Sequence, residues 1–186
     1  PPRSTLFPYT TLSDLHIVIY VGSVSTDMQP DHLFACFTRP ALKEKSLLVL
    51  SKDYEPLRDL YNAFPNIIFK GPVPQEEVNR YIRQSSFAIN YKPDVAPHNE
   101  QTSTKFLEYA ACRIPVISTD FSWMRKFQQQ YGGNYFYLSK DLSNLSWENA
   151  SNFQYSFPDL SEWTWEKQIR GSGVLEFLGL SPADRA

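Results

Sequence analysis

The chain has 186 residues, within the range of one domain and long enough to bury a sizeable core. Its net charge of −2 excludes the basic footprint of a nucleic-acid binder, and no apolar run approaches the length that spans a bilayer. The two cysteines, Cys36 and Cys112, both fall in helical patterns, and we expect buried free thiols rather than a bridge, which fits a reducing compartment.

Residues 1–14 read as a linker. The start is rich in proline, lacks a methionine and carries no signal peptide, so we expect a piece of a longer protein. Residues 15–21, LHIVIYV, form a buried strand that ends at Gly22, and Gly22-Ser23-Val24-Ser25 makes a loop. Pro30 opens a helix that runs to about residue 40. A second strand follows over 46–50, then a helix over 54–64 with Leu57, Leu60, Tyr61 and Phe64 at helical spacing. The third strand, 66–70, closes on Gly71-Pro72, and Gln75 opens a helix with Val78, Tyr81 and Ile82 on one face. The fourth strand covers 87–91, and Pro93 and Pro97 hold open the loop after it. The fifth strand covers 114–118, a helix 122–130, and a sixth strand 135–138. Residues 139–157, rich in Ser and Asn, read as irregular. Residues 160–178 read as a closing helix broken at Gly171-Ser172-Gly173, with Trp163 and Trp165 as core contacts, and 181–186 as a tail.

Strands alternating with helices at this spacing imply an α/β fold: a Rossmann-like, doubly wound parallel sheet of about six strands with helices on both faces, over 15–180. Ligands of such sheets bind beyond the strand C-termini, where the strand order reverses. That singles out the loops at 22–26 and 92–102.

The stretch His98 to Thr119, HNEQTSTKFLEYAACRIPVIST, carries the chemistry. It reads as a loop holding Glu100, a helix capped by the Thr102-Ser103-Thr104 hydroxyls, and a buried strand after Pro115. Free N–H groups at a helix N-terminus, capping hydroxyls and Lys105 suit a phosphate. Glu108, one turn further in, is placed to accept hydrogen bonds from sugar hydroxyls. Together they point to a sugar nucleotide. The plainer alternative is a solvated Glu/Lys surface pair.

Glu100, seven residues, Glu108, with Lys105 three before the second Glu and then Tyr-Ala-Ala-Cys-x-x-Pro-Val-Ile, resembles the donor-site signature of GT-B glycosyltransferases of the "glycosyl transferases group 1" type. The resemblance covers roughly 15–138 and implies the C-terminal, donor-binding half of a GT-B fold. It implies that Glu108 binds the ribose and that Glu100 lies near the donor sugar or its phosphates. Thr102, Ser103, Thr104 and Lys105 would cradle the diphosphate, with Glu100 and Lys105 in the catalytic roles. Gly22 and Ser23 would face the phosphates, and the loop at Val73 would meet the base through its backbone. The chain departs from the pattern. Gln101-Thr102-Ser103 replaces Gly-Phe-Gly, Arg113-Ile114 replaces the Gly before the strand, and no Arg or Lys lies between Gly22 and Arg39.

The resemblance further implies transfer from a UDP-, GDP- or ADP-sugar to a saccharide or lipid-linked acceptor, independent of metal and with no cofactor. The setting would be bacterial cell-envelope polysaccharide synthesis, in the cytoplasm or at the inner face of the membrane. The N-terminal GT-B domain of the same parent protein would be the partner, so this stretch alone is expected to bind a donor but not to transfer. No His/Cys cluster has metal-ligand spacing, and no Asp-x-Asp pair suggests a metal-held diphosphate. The rival is a non-catalytic nucleotide-binding or regulatory module of the same fold. An epimerase of this architecture is disfavoured because no Gly-x-Gly-x-x-Gly follows the first strand. His98 is either a general base or a loop residue, and Tyr91 either stacks on a base or belongs to the core. The two Asn-x-Ser triplets at 144–146 and 149–151 arise easily in such a segment, and we read no glycosylation into them.

Overall fold

The computed structural model describes residues 16–179; the linker expected at 1–14 and the tail at 181–186 lie outside them. Six strands form one sheet in the order β3-β2-β1-β4-β5-β6, with every neighbouring pair parallel. They are β1 (Ile17–Val21), β2 (Ser46–Leu50), β3 (Ile67–Phe69), β4 (Phe87–Asn90), β5 (Val116–Thr119) and β6 (Phe136–Leu138). The helices between them are α1 (Pro30–Cys36), α2 (Glu55–Leu60), α3 (Gln75–Arg83), α4 (Thr104–Ala111) and α5 (Ser122–Tyr131). After β6 come α6 (Trp147–Asn152), α7 (Trp165–Gly171) and α8 (Val174–Phe177).

Side chains that alternate along each strand feed two separate cores. Val18, Tyr20, Leu47, Val49 and Ile89 pack with Leu33, Phe34 and Phe37 of the α1 segment, with Leu57 of α2, and with Leu142, Leu145 and Ala150 around α6. Ile17, Ile19, Leu48, Leu50 and Val116 pack on the opposite face with Val78 and Ile82 of α3, Phe106, Tyr109 and Ala110 of α4, and Met124 and Phe127 of α5. Phe106 is fully buried, meeting the rings of Phe127 at 5.0 Å and Tyr135 at 5.1 Å. Burial of such a ring contributes about 1.5–3 kcal/mol and seats α4 on the sheet.

The chain winds outward from β1 to β3, then crosses back through α3 to place β4 on the other side of β1. The reversal point therefore lies between the ends of β1 and β4, as the alternation of elements implied. The helix starts are local. Pro30 supplies the fixed φ of the first turn of α1 after left-handed Gln29, and the Ser103 hydroxyl accepts from the Phe106 N–H to cap α4. Past the end of α4, Arg113 turns the chain at φ 54°, two residues before Pro115. β5 begins at Val116 rather than 114, because Pro115 has no N–H for the ladder, although its carbonyl accepts from Ala88.

Three expectations need correction. The segment expected to be irregular contains α6, capped by Ser146, whose hydroxyl accepts from Asn149 N–H. The closing helix starts at Trp165 rather than 160; its expected break falls at Ser172-Gly173, between α7 and α8. Trp163 does pack, against Phe127 and Tyr131, but Trp165 is 84% exposed because α7 stands clear of both cores. Of the two cysteines, Cys36 is a buried free thiol and Cys112 a half-buried one just past the end of α4.

Candidate functional site

The ends of β1 and β4 and the start of α4 are tied together by hydrogen bonds. Val21 N–H donates to the Tyr109 hydroxyl at 2.9 Å, linking the last residue of β1 to α4. The Tyr20 hydroxyl donates to the Ser23 carbonyl at 2.6 Å and accepts from the Lys105 ammonium at 3.0 Å. Lys105 also donates to the Tyr91 carbonyl at 3.1 Å, and its ammonium lies 4.4 Å from the centre of the Tyr20 ring. A β-carbon built on Gly22 would stand 3.6 Å from Lys105 Cε and 3.8 Å from its Nζ. The cation missing from the first loop is thus delivered to that loop from α4.

Lys105 keeps partial access to solvent, but no carboxylate lies within 4.0 Å of its ammonium among the described residues. Burial, and then the like charge of Lys92, pull its pKa down to about 7. A neighbouring anion would favour the charged form and offset both effects.

Beneath the start of α4 is a buried polar chain. The Ser103 hydroxyl donates to Asn90 Oδ1 at 2.7 Å, and Asn90 Nδ2 donates to the Ser118 hydroxyl at 3.0 Å. Ser103 is 3% exposed, so its hydroxyl works inward, as cap and as anchor, rather than toward a ligand. Thr102 and Thr104 on either side are exposed. Free N–H groups at this end of α4, with those two hydroxyls, are what an anion would meet.

Glu108 sits half-buried on α4. Burial raises its pKa, against a hydrogen bond from Gln75 at the start of α3. It therefore adjoins the loop after β3, where Val73 turns its side chain onto the core beneath α3 and α4. Gly71, at φ +74°, makes the turn into that loop with the Tyr54 ring 3.0 Å from where a β-carbon would be.

Two expected residues sit differently. Glu100 is exposed at the end of a 3-10 turn (His98–Glu100), and its carboxylate pairs with Lys126 of α5 at 2.8 Å. That pairing and a hydrogen bond from Ser122 hold its pKa below the usual carboxylate range. Glu100 and Glu108 thus point to different neighbours, one toward α5 and one toward α3. Ser23 is exposed, and its hydroxyl lies within reach of Ser25 Oγ at 2.9 Å and Asp53 Oδ2 at 3.2 Å, so an acid borders the first loop. His98 pairs with Asp27 at 3.5 Å. Tyr91 is buried and its hydroxyl donates to the Gln29 carbonyl, so it is a core aromatic, not a stacking platform.

Sequence reasoning missed Tyr20, Tyr109 and the role of Lys92. Lys92 is 7% exposed, with its ammonium donating to the Gln101 carbonyl at 3.0 Å and lying 5.6 Å from the Phe121 ring centre. A lysine directly after an apolar strand was the available signal.

Beyond β4, β5 and β6 opens a cleft of about 900 Å³. Lys92, Asp94, Asp120, Arg125, Lys126 and Lys140 supply its charged walls. Among the described residues no three His, Cys, Asp or Glu side chains come together as a metal site would require, and no helix is long and apolar enough to cross a membrane.

A doubly wound parallel sheet with a lysine-bearing helix tip at its reversal point defines a Rossmann-like domain of the kind found in GT-B proteins. The sequence profile of "Glycosyl transferases group 1" matches residues 16–142, and the chain belongs to that family. No curated protein matches it. Among solved structures it is similar to an α,α-trehalose-phosphate synthase (UDP-forming) from Burkholderia xenovorans, solved with glucose-6-phosphate. The TM-score is 0.54 and the identity 11%, over 76% of this chain and 36% of that one. The enzyme of the same kind from Burkholderia multivorans gives 0.51 and 12%, over 76% and 35%. A GtfA/B complex gives 0.50 and 14%, over 73% and 27%. At these identities the likeness is one of fold. The chain spans about a third of the length of these structures.

Proposed function

We propose that this chain is the C-terminal, donor-binding half of a group 1 glycosyltransferase, and that a nucleotide-diphospho-sugar docks between Gly22 and the start of α4. The observation that carries this reading is the Lys105 ammonium, without a carboxylate partner among the described residues, held against the Gly22 turn at the reversal point of the sheet. The diphosphate lies on the N–H groups, Thr102, Thr104 and Lys105 at the start of α4, with the backbone at Ser103, Gly22 and Ser23 alongside. Glu108 accepts the ribose hydroxyls, and the Val73 backbone meets the base. Glu108 adjoins Gln75, two residues beyond Val73, which puts the acid beside the base loop. Glu100 and Lys105 serve the transfer step. Lys105 and the fixed dipoles of α4 stabilise the leaving diphosphate in the role a metal ion plays elsewhere. Glu100, paired with Lys126 at 2.8 Å on the surface, turns to the donor sugar from beside that lysine.

The acceptor is a saccharide or a lipid-linked saccharide, and the N-terminal GT-B domain of the parent protein supplies the groups that activate it. This stretch, taken as the domain over 15–180, binds donor without transferring it. Bacterial cell-envelope polysaccharide synthesis, cytoplasmic or at the inner membrane face, is the setting proposed. Calorimetric titration with UDP-, GDP- and ADP-sugars tests the reading. One of them should bind, and Glu108→Ala should abolish that binding while the circular dichroism spectrum stays the same. A second reading, a non-catalytic nucleotide-binding or regulatory module, is favoured by one observation: the first loop carries no cation of its own and is bordered by Asp53. Joined to its N-terminal half, such a module would bind nucleotide yet fail to consume donor.

A further inference from the structure

The cleft beyond β4, β5 and β6 is not used by the donor as placed above. It is walled by the segments after three consecutive strands and by Gln29 and His32 at the start of α1. Its charge is uneven. Arg125 is held by Asp120 through two hydrogen bonds, with its guanidinium 3.7 Å from the Tyr137 ring centre, and Lys126 is held by Glu100. Asp94 accepts from the Asn99 side chain at 3.2 Å. That leaves Lys92 and Lys140 with no carboxylate within 4.0 Å among the described residues. Lys92 is the telling one. It is buried, it lines the cleft, and its ammonium makes one hydrogen bond, to the Gln101 carbonyl. Burial lowers its pKa, so its charge is costly where it stands unless an anion joins it.

The hollow is larger than a lone phosphate needs, and Asp94 and Ser122 put a carboxylate and a hydroxyl among the cations. That mixture suits a ring of hydroxyls bearing one negative group. Glu100, assigned to the donor sugar, is bonded to Lys126 on the wall of this cleft, so the donor sugar and the cleft contents would be neighbours. We propose that this cleft holds the acceptor, and that the acceptor is an anionic sugar whose phosphate or carboxylate is gripped by Lys92 and Lys140. The assignment as acceptor rests on the donor reading above; the anionic-sugar site itself does not.

The test is titration of the chain, saturated with UDP, with three probes: glucose 6-phosphate, methyl glucuronide and the neutral methyl glucoside. One of the two anionic probes should bind and the neutral one should bind at least about tenfold more weakly; whichever anion binds identifies the group. Lys140→Glu, an exposed change, should weaken the anionic probe by about tenfold or more and leave UDP affinity within about twofold. Glu108→Ala should do the reverse. Equal binding of the neutral probe, displacement of the anionic probe by UDP, or indifference to Lys140→Glu would overturn the proposal. If UDP and other nucleotides fail to bind while the anionic probe still binds through Lys140, the donor reading and the acceptor role fall together, and an anionic-sugar site remains.

Discussion

Lys105 and Gly22 stand 83 residues apart, after two neighbouring central strands, yet the lysine side chain passes within 3.6 Å of the position a Gly22 β-carbon would take. At φ +128° that position strains any residue with a β-carbon. Gly22→Ala is therefore expected to cost about 1–2 kcal/mol in urea unfolding. It should weaken nucleotide binding as well, since the added methyl occupies the space over the ammonium. Retained affinity alongside lost stability would remove Gly22 from the site.

Lys105, with a pKa of about 7, titrates near neutrality, and an anion bound to it favours the charged form. Binding above pH 7 should then take up a proton. Calorimetry in buffers of different ionisation enthalpy should detect it, and affinity should fall as pH rises through 7. The sign for folding is the opposite. Below 7 both folded and unfolded chains carry the proton, and the folded one bears the burial penalty. Between 7 and the ordinary lysine value of 10.5, only the unfolded chain holds the proton, so stability rises with pH there. Lys105→Met should flatten both profiles. Lys92→Met should shift them to higher pH by removing the like charge.

Glu108 has its pKa raised, chiefly by burial. Its penalty is absent below the ordinary value of 4.5 and grows as pH rises through the folded value. Glu108→Gln should therefore be slightly more stable than the parent at pH 7 in thermal melts, and equal to it at pH 4. The same variant should lose most of its nucleotide affinity. Higher stability with unchanged affinity would mark Glu108 as an ordinary half-buried acid.

Tyr109→Phe removes the acceptor of the Val21 N–H and leaves that donor unpaired, at a cost of about 1–3 kcal/mol. Ser103→Ala removes the α4 cap and strips Asn90 Oδ1 of a donor, so its loss should exceed the ~1 kcal/mol of a cap alone. Both are read by chemical denaturation. Because each acts on the mounting of α4, hydrogen exchange at Val21 and Phe106 should rise in the respective variants.

The strands were legible because each is a short apolar run bounded by turn residues; β2 has the expected ends, and the others shift by one or two residues where a ladder partner or a proline decides. α6 was hidden because its apolar contacts, Leu142, Leu145 and Ala150, are scattered through a Ser/Asn-rich stretch that favours turns. That Lys105 and Glu108 stand on the helix after β4 was legible from the local pattern. The contacts of Tyr20 and Tyr109 could not be read, because they depend on which strand ends meet across the sheet, and strand order leaves no local trace; Lys92 left a trace only as a lysine directly after an apolar strand. Trp165 misled for a related reason: a large aromatic in a helical pattern implies a core, but α7 lies beyond the cores that the sheet provides.

The Tyr109 hydroxyl that clasps Val21, and the Tyr20 hydroxyl that clasps Ser23, bear on how tightly anything can be held between β1 and α4. These bonds fasten the end of β1 and the start of its following loop to rigid elements. An anion bound between Gly22 and α4, as proposed, would lose its own motional freedom but need not freeze the chain around it.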